Sequence, residues 1–131
     1  MRRRDFSKLV IGAAVLPFAA HAQQPERMRR IGVLTGATAD DPEAKARNAA
    51  FQQQLQQLGW TEGRNVQFDY RFMSGEVDSI RKYAIELVAL APDIIVTSGA
   101  ATGQVLRATR TLPIVFVIAP DPVGSGFVDS L

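Results

Sequence analysis

Asp93-Ile94-Ile95-Val96-Thr97-Ser98-Gly99-Ala100-Ala101-Thr102, residues 93–102, decides the fold of this chain. Ile94 to Val96 is apolar without interruption, the pattern of a strand covered on both faces rather than one half-open to water. Ser98 to Ala101 then supplies a tight turn of small residues, after which apolar positions recur at helical spacing to roughly Arg110. A two-face-buried strand that passes through a short loop into a helix is half of a βαβ unit, and parallel sheets are built from such units.

The same grammar extends in both directions. Upstream, Ile31-Gly32-Val33-Leu34 is a second short apolar run, ending in the small-residue loop Thr35-Gly36-Ala37-Thr38. Asp41-Pro42-Glu43 predicts a helix start: aspartate caps, proline at the first helical position gives up no needed amide, and glutamate suits the positive helix end. Phe51, Leu55 and Leu58 share one face of that helix, glutamines cover the other, and Gly59 is its expected stop. Val66, Phe68, Tyr70 and Phe72 alternate with polar residues, as a strand toward a sheet edge does. A helix carrying Val77, Ile80, Ala84, Leu87, Val88 and Ala91 follows and ends before Pro92. Downstream, Pro113–Ile118 is a fourth, continuously apolar strand, and Asp121-Pro122 repeats the helix-start signal for a helix opening over 123–131. The expectation is an α/β lobe, flavodoxin-like, with a parallel sheet in the order 2-1-3-4, helices on both faces, and a switch point between the first and third strands. With a helix barely begun at Leu131 and no fifth strand, the expectation is an incomplete lobe and a piece of a longer protein, the alternative being a complete four-stranded domain.

Residues 1–22 read as an address. Arg2–Lys8 is cationic, Leu9–Ala20 is apolar for about a dozen residues, and Ala20-His21-Ala22 is a small-residue cleavage site. That is the layout of a secretory signal peptide, and the apolar run is shorter than the roughly 18 residues of a membrane span. Arg3-Arg4-Asp5-Phe6-Ser7-Lys8 also follows the twin-arginine export pattern. Residues 23–29 read as a linker, and 30–122 as the lobe. The whole chain has a formal charge of +2, but beyond residue 22 there are 11 basic against 12 acidic residues, a net of −1. The basicity thus belongs to the leader, and the remainder has no footprint for nucleic acid. The chain has no cysteine and its one histidine is His21, which excludes thiolate and imidazole chemistry from the lobe.

Open parallel sheets take ligands beyond the carboxyl ends of their strands, at the switch point. Three loops meet there: Thr35-Gly36-Ala37-Thr38 after the first strand, Ser98-Gly99-Ala100-Ala101-Thr102 after the third, and Pro120-Asp121-Pro122 after the fourth. Hydroxyls and free amides at a helix start form a neutral cradle for a carboxylate or phosphate, and small side chains admit close approach. Ser98 either contributes to that cradle or caps its own helix. Asp121 either accepts a ligand amine or caps the next helix. Gly-x-Gly-x-x-Gly, Gly-Lys-Ser/Thr and Gly-x-Ser-x-Gly motifs are absent, so no cofactor or catalytic group is expected.

Several stretches, in order, resemble the ABC transporter substrate-binding proteins of the tryptophan/tyrosine-type group. They are Arg30–Leu34, Leu58-Gly59-Trp60 with Glu62–Val66, Asp69-Tyr70-Arg71, Asp93–Val96, Leu112–Phe116, and above all Asp121-Pro122-Val123-Gly124-Ser125-Gly126-Phe127-Val128. The resemblance implies a two-lobed type I periplasmic binding fold with an amino-acid-like or small carboxylate ligand between the lobes, and an inner-membrane ABC permease as partner. It also implies that the Ser98–Thr102 loop holds the ligand's carboxylate and that Asp121 lies at the cleft. Ser98-Gly99-Ala100-Ala101 departs from the family's commoner Thr-Pro-Ala, which leaves the ligand's identity open. A leader without a lipid-attachment cysteine implies a freely diffusing periplasmic protein with no membrane span of its own after processing. An exported enzyme of related fold and the ligand-binding part of an extracytoplasmic sensor are the competing readings.

Overall fold

In the computed structural model, residues 27–73, 76–118 and 121–129 are described. The leader 1–22 and most of the expected linker lie outside these residues. Four strands form one parallel sheet in the order β2-β1-β3-β4: β1 Arg29–Thr35, β2 Val66–Phe72, β3 Ile94–Ser98 and β4 Ile114–Val117. The half-polar strand is at the edge and the order reverses between β1 and β3, as the sequence predicts. Gly32 faces Ile95 and Val33 faces Val96 in the β1–β3 register, while Thr97 faces Phe116 in the β3–β4 register.

Alternation along the strands sends successive side chains to opposite faces. One face carries Leu34 and Ile95, packed with Ile80, Ala84 and Leu87 of α2 (Val77–Ala89) and with Ala101 and Val105 of α3 (Ala101–Ala108). Leu34, Leu87, Ile95 and Val105 are fully buried. Each such side chain contributes about 1.5–3 kcal/mol relative to exposure. The other face carries Val33, Val66 and Phe68, covered by Phe51 and Leu55 of α1 (Pro42–Gln57). An aromatic row reinforces this side: Phe51 meets Phe68 edge-on at 5.9 Å, and Phe68, Tyr70 and Phe72 stack at 5.9 and 6.0 Å along β2.

Helix ends follow local chemistry. Asp41 caps α1, its carboxylate accepting from the amides of Glu43 and Ala44 at 2.8 and 3.0 Å. Gly59, at φ +95°, ends it: the Trp60 amide reaches back to Leu55 and the Gly59 amide to Gln56, the paired bonds of a Schellman turn. Leu58, expected on the buried face, is 74% exposed, because the chain leaves the helix there before the face closes. α3 stops at Ala108, two residues short of the expected Arg110. Thr109 is extended, and its hydroxyl accepts from the amides of Thr111 and Leu112.

The helix expected over 123–131 is corrected. Asp121 does start a turn, accepting from Gly124 through its side chain at 2.8 Å and from Ser125 through its carbonyl. Gly126, at φ +72°, closes that turn at once with the bonds Phe127 to Pro122 and Gly126 to Val123. It repeats the stop seen at Gly59, so residues 121–129 form capped turns and no regular helix. Phe127 then packs edge-on against Phe116 at 6.1 Å.

At the amino ends of the strands, Asp93 and Arg30 clamp the sheet. The Arg30 amide donates to the Asp93 carboxylate and the Asp93 amide to the Arg30 carbonyl, both at 2.8 Å. The Arg30 guanidinium also reaches Asp69 of β2 at 2.9 Å. Three strands are thereby fixed at the pole opposite their loops, which leaves the carboxyl ends free to form a crevice.

Candidate functional site

The loops after β1 and β3 come into direct contact at the switch point. A Cβ placed on Gly36 would sit 3.4 Å from the Ser98 carbonyl oxygen and 3.6 Å from the Ala100 nitrogen. A methyl at this position would just touch the second loop, and a larger, branched side chain would press on it. Thr35 is buried, and its hydroxyl accepts from the Ala37 amide at 2.9 Å, which fixes the first loop. The Met73 amide donates to the Ala37 carbonyl at 3.0 Å, tying that loop to the end of β2.

In the second loop, Gly99 at φ +57° turns the chain into α3. The N-cap is Ala100, with no side-chain cap bond, so Ser98 does not cap its helix. The start of α3 carries the positive end of the helix dipole, and its Thr102 amide donates to the Gly99 carbonyl at 3.2 Å. Ala101 is fully buried in the core. Behind the loop, the hydroxyls of Thr97 and Thr102 are buried with no hydrogen-bond partner. Unpaired buried polar groups cost about 1–3 kcal/mol each. One lies at the end of β3 and the other in the first turn of α3, and both are exceptions to the rule that buried polar groups are paired.

A pocket of about 60 Å³ opens beside this contact, on the α1 side of the sheet. Thr35 and Ser98 line it, with Val96, Val117 and Ile118 as its apolar wall. Complete small-molecule sites measure roughly 300–1,000 Å³, so this is one wall of a site. Gly99 to Thr102 adjoin the pocket without lining it. Asp121 is exposed, and its carboxylate accepts from the Gly124 amide, closing a turn in which no helix follows.

Arg47 and Asn48 of α1 also line the pocket and were missed by reading strand ends alone. The signal was present in the helix pattern. Ala44, Arg47 and Asn48 lie at i, i+3 and i+4, hence on one face, and Ala44 is 3% exposed. The face that buries Ala44 against the sheet therefore brings the other two to the crevice. Among the described residues there is no group of three or more potential metal ligands, and no helix long and apolar enough to cross a membrane.

Comparison with known proteins places this geometry. The chain is 23% identical, over 107 residues, to a tyrosine-binding protein of Clostridioides difficile, covering 81% of this chain and 30% of that protein. A conserved domain protein of Vibrio cholerae superposes with a TM-score of 0.74 at 28% identity, over 80% of this chain and 35% of that one. An ABC domain from Streptococcus pneumoniae in complex with L-Trp superposes at 0.71 with 25% identity, over 79% and 35%. The chain thus spans about a third of the length of the relatives it matches. These solved structures share the parallel-sheet lobe, and residues 32–131 match the sequence pattern of one family throughout. This chain belongs to the family of ABC transporter substrate binding proteins.

Proposed function

We propose that the protein is the capture component of an ABC-type importer, exported by its leader to the periplasm, and that it carries out no catalysis. Its ligand is a small amino-acid-like or carboxylate molecule, held between this lobe and a second one. Closure of the lobes on the ligand presents the loaded protein to an inner-membrane permease, and contacts in both lobes bias that hinge. The observation that carries the reading is the meeting of Gly36 with Ser98 and Ala100 at the sheet's switch point. It brings the Thr35 and Ser98 ends of β1 and β3 together as one wall of the pocket, with the start of α3 adjoining it. The ligands named for relatives, tyrosine and L-Trp, point to the same chemical class.

The test is a calorimetric and thermal-shift survey of the intact native protein against amino acids and small carboxylates. The reading predicts 1:1 binding of at least one such ligand, with loss of binding in Gly36→Val, whose added side chain presses on the Ser98 carbonyl. Failure of every amino acid and carboxylate to stabilise the protein would sink the ligand class. Wild-type affinity in Gly36→Val would sink the site. For the leader, export of a fused folded reporter should stop when Arg3 and Arg4 are both changed to lysine; unchanged export would reject the twin-arginine route.

A further inference from the structure

The crevice contains two features that attract negative charge, and they come from different elements. One is the start of α3, which adjoins the pocket and carries the positive end of the helix dipole. The other is Arg47 of α1, with Asn48 beside it, on the wall that Ser98 shares. The Arg47 guanidinium has one ion-pair partner among the described residues: Glu43, one helical turn back, at 3.4 Å. Glu43 is 79% exposed, and exposed i,i+4 pairs are worth only about 0.3–0.5 kcal/mol. The pair therefore holds the guanidinium near the pocket without neutralising it, and a ligand oxygen can replace Glu43 at little cost. Asn48 adds an amide donor on the same helix face. The described lining of the pocket has this single cation and no carboxylate, so the wall favours an acceptor over an ammonium group.

We propose that the ligand carries a second anionic group at its far end, and that Arg47, assisted by Asn48, is the residue that selects it. The ligand class is then two-ended: a small dicarboxylate or an acidic amino acid, with one carboxylate at the α3 start and the other on Arg47. Val96, Val117 and Ile118 flank the short apolar segment between the two ends. A guanidinium suits this role because it presents parallel donors to a carboxylate and stays charged at any physiological pH. The inference rests on the crevice being the ligand site, and its test separates the two ideas.

The experiment is calorimetry on the intact native protein with succinate and L-glutamate, each against its one-ended counterpart, butyrate and L-norvaline. At least one two-ended probe is expected to bind about tenfold or more tightly than its counterpart. Arg47→Gln should abolish that preference, and Arg47→Lys should keep part of it. Equal binding of one-ended and two-ended probes, no binding of either two-ended probe, or an unchanged preference in Arg47→Gln would each overturn the proposal. Gly36→Val distinguishes the failures. If it abolishes binding while Arg47→Gln changes nothing, the crevice stands and Arg47 is not the selector. If it leaves binding intact, the crevice itself is wrong. A retained thermal transition in each variant confirms that the fold survives.

Discussion

Leu87→Ala tests the packing that holds the crevice in place. Leu87 is fully buried on the α2–α3 face, and its Cδ2 lies 3.5 Å from where a Cβ on Gly32 would stand, so it rests directly on β1. Truncation to alanine removes three carbons, about 2.4 kcal/mol at roughly 0.8 kcal/mol per buried methylene. The neighbours Leu34, Ile80 and Ile95 are themselves fixed in the sheet and helix and can only partly fill the gap. A residual cavity of about 50 Å³ would add about 1.2 kcal/mol at roughly 24 cal/mol per Å³. The expected loss is thus about 3–4 kcal/mol, a large part of the ~5–15 kcal/mol that a domain typically has. Leu58→Ala is the internal control, since Leu58 is 74% exposed and should cost under about 0.5 kcal/mol. Urea unfolding followed by circular dichroism gives both values as midpoint shifts at constant slope. A cost below about 1 kcal/mol for Leu87→Ala, or equal costs for the two leucines, would refute the two-faced packing described above.

Asp41→Ala removes two cap bonds and should destabilise the protein by about 0.5–2 kcal/mol, whereas Ser98→Ala, which caps nothing, should leave urea stability nearly unchanged. Thr102→Val replaces an unpaired buried hydroxyl by a methyl of similar shape, so the protein should be as stable or more stable in urea unfolding; a destabilised variant would mean the hydroxyl has a partner. The Arg30 backbone amide, followed by Arg27 and Arg29, holds the Asp93 carboxyl below its ordinary value against a smaller desolvation effect. Its stabilising contribution is complete above the unfolded carboxyl range near pH 3.8 and disappears as pH falls through the lowered folded value; Asp93→Asn should flatten the acid limb of the stability profile. Burial pushes the Tyr70 phenol above 10.0, with Glu62 adding to the shift and the Gln52 hydrogen bond opposing it. Stability should therefore fall as pH rises past 10, where the unfolded chain loses the proton first, and ultraviolet titration of Tyr70→Phe against wild type should show the late-ionising phenol missing.

Most of the fold was readable because the strands are short apolar runs bounded by helix-start and helix-stop signals. Ile94–Val96 with its small-residue turn, and the alternation of Val66–Phe72, sufficed to place β3 inside the sheet and β2 at its edge. The errors arose where a local stop outweighed a pattern. Gly126 closed a helix that Asp121-Pro122 had opened, and Thr109 ended α3 with its own hydroxyl. The site was less legible, since a ligand crevice depends on which residues of separate elements converge. Thr35, Gly36 and Ser98 could be placed from strand ends. Arg47 and Asn48 could not, because their approach depends on how closely α1 packs through Ala44. The unpaired hydroxyls of Thr97 and Thr102 likewise emerge only from packing, since the sequence shows two threonines and not their missing partners.

The most direct measurement of the central claim is an amide shift map of the isotope-labelled intact protein, titrated with whichever amino acid or carboxylate stabilises it. The account predicts that, within residues 27–129, the largest changes fall on Gly36, Ser98 to Thr102, and the α1 residues Arg47 and Asn48. Changes concentrated instead in the groove between α2 and α3, around Arg81 and Arg107, with Gly36 and Ser98 unmoved, would contradict it.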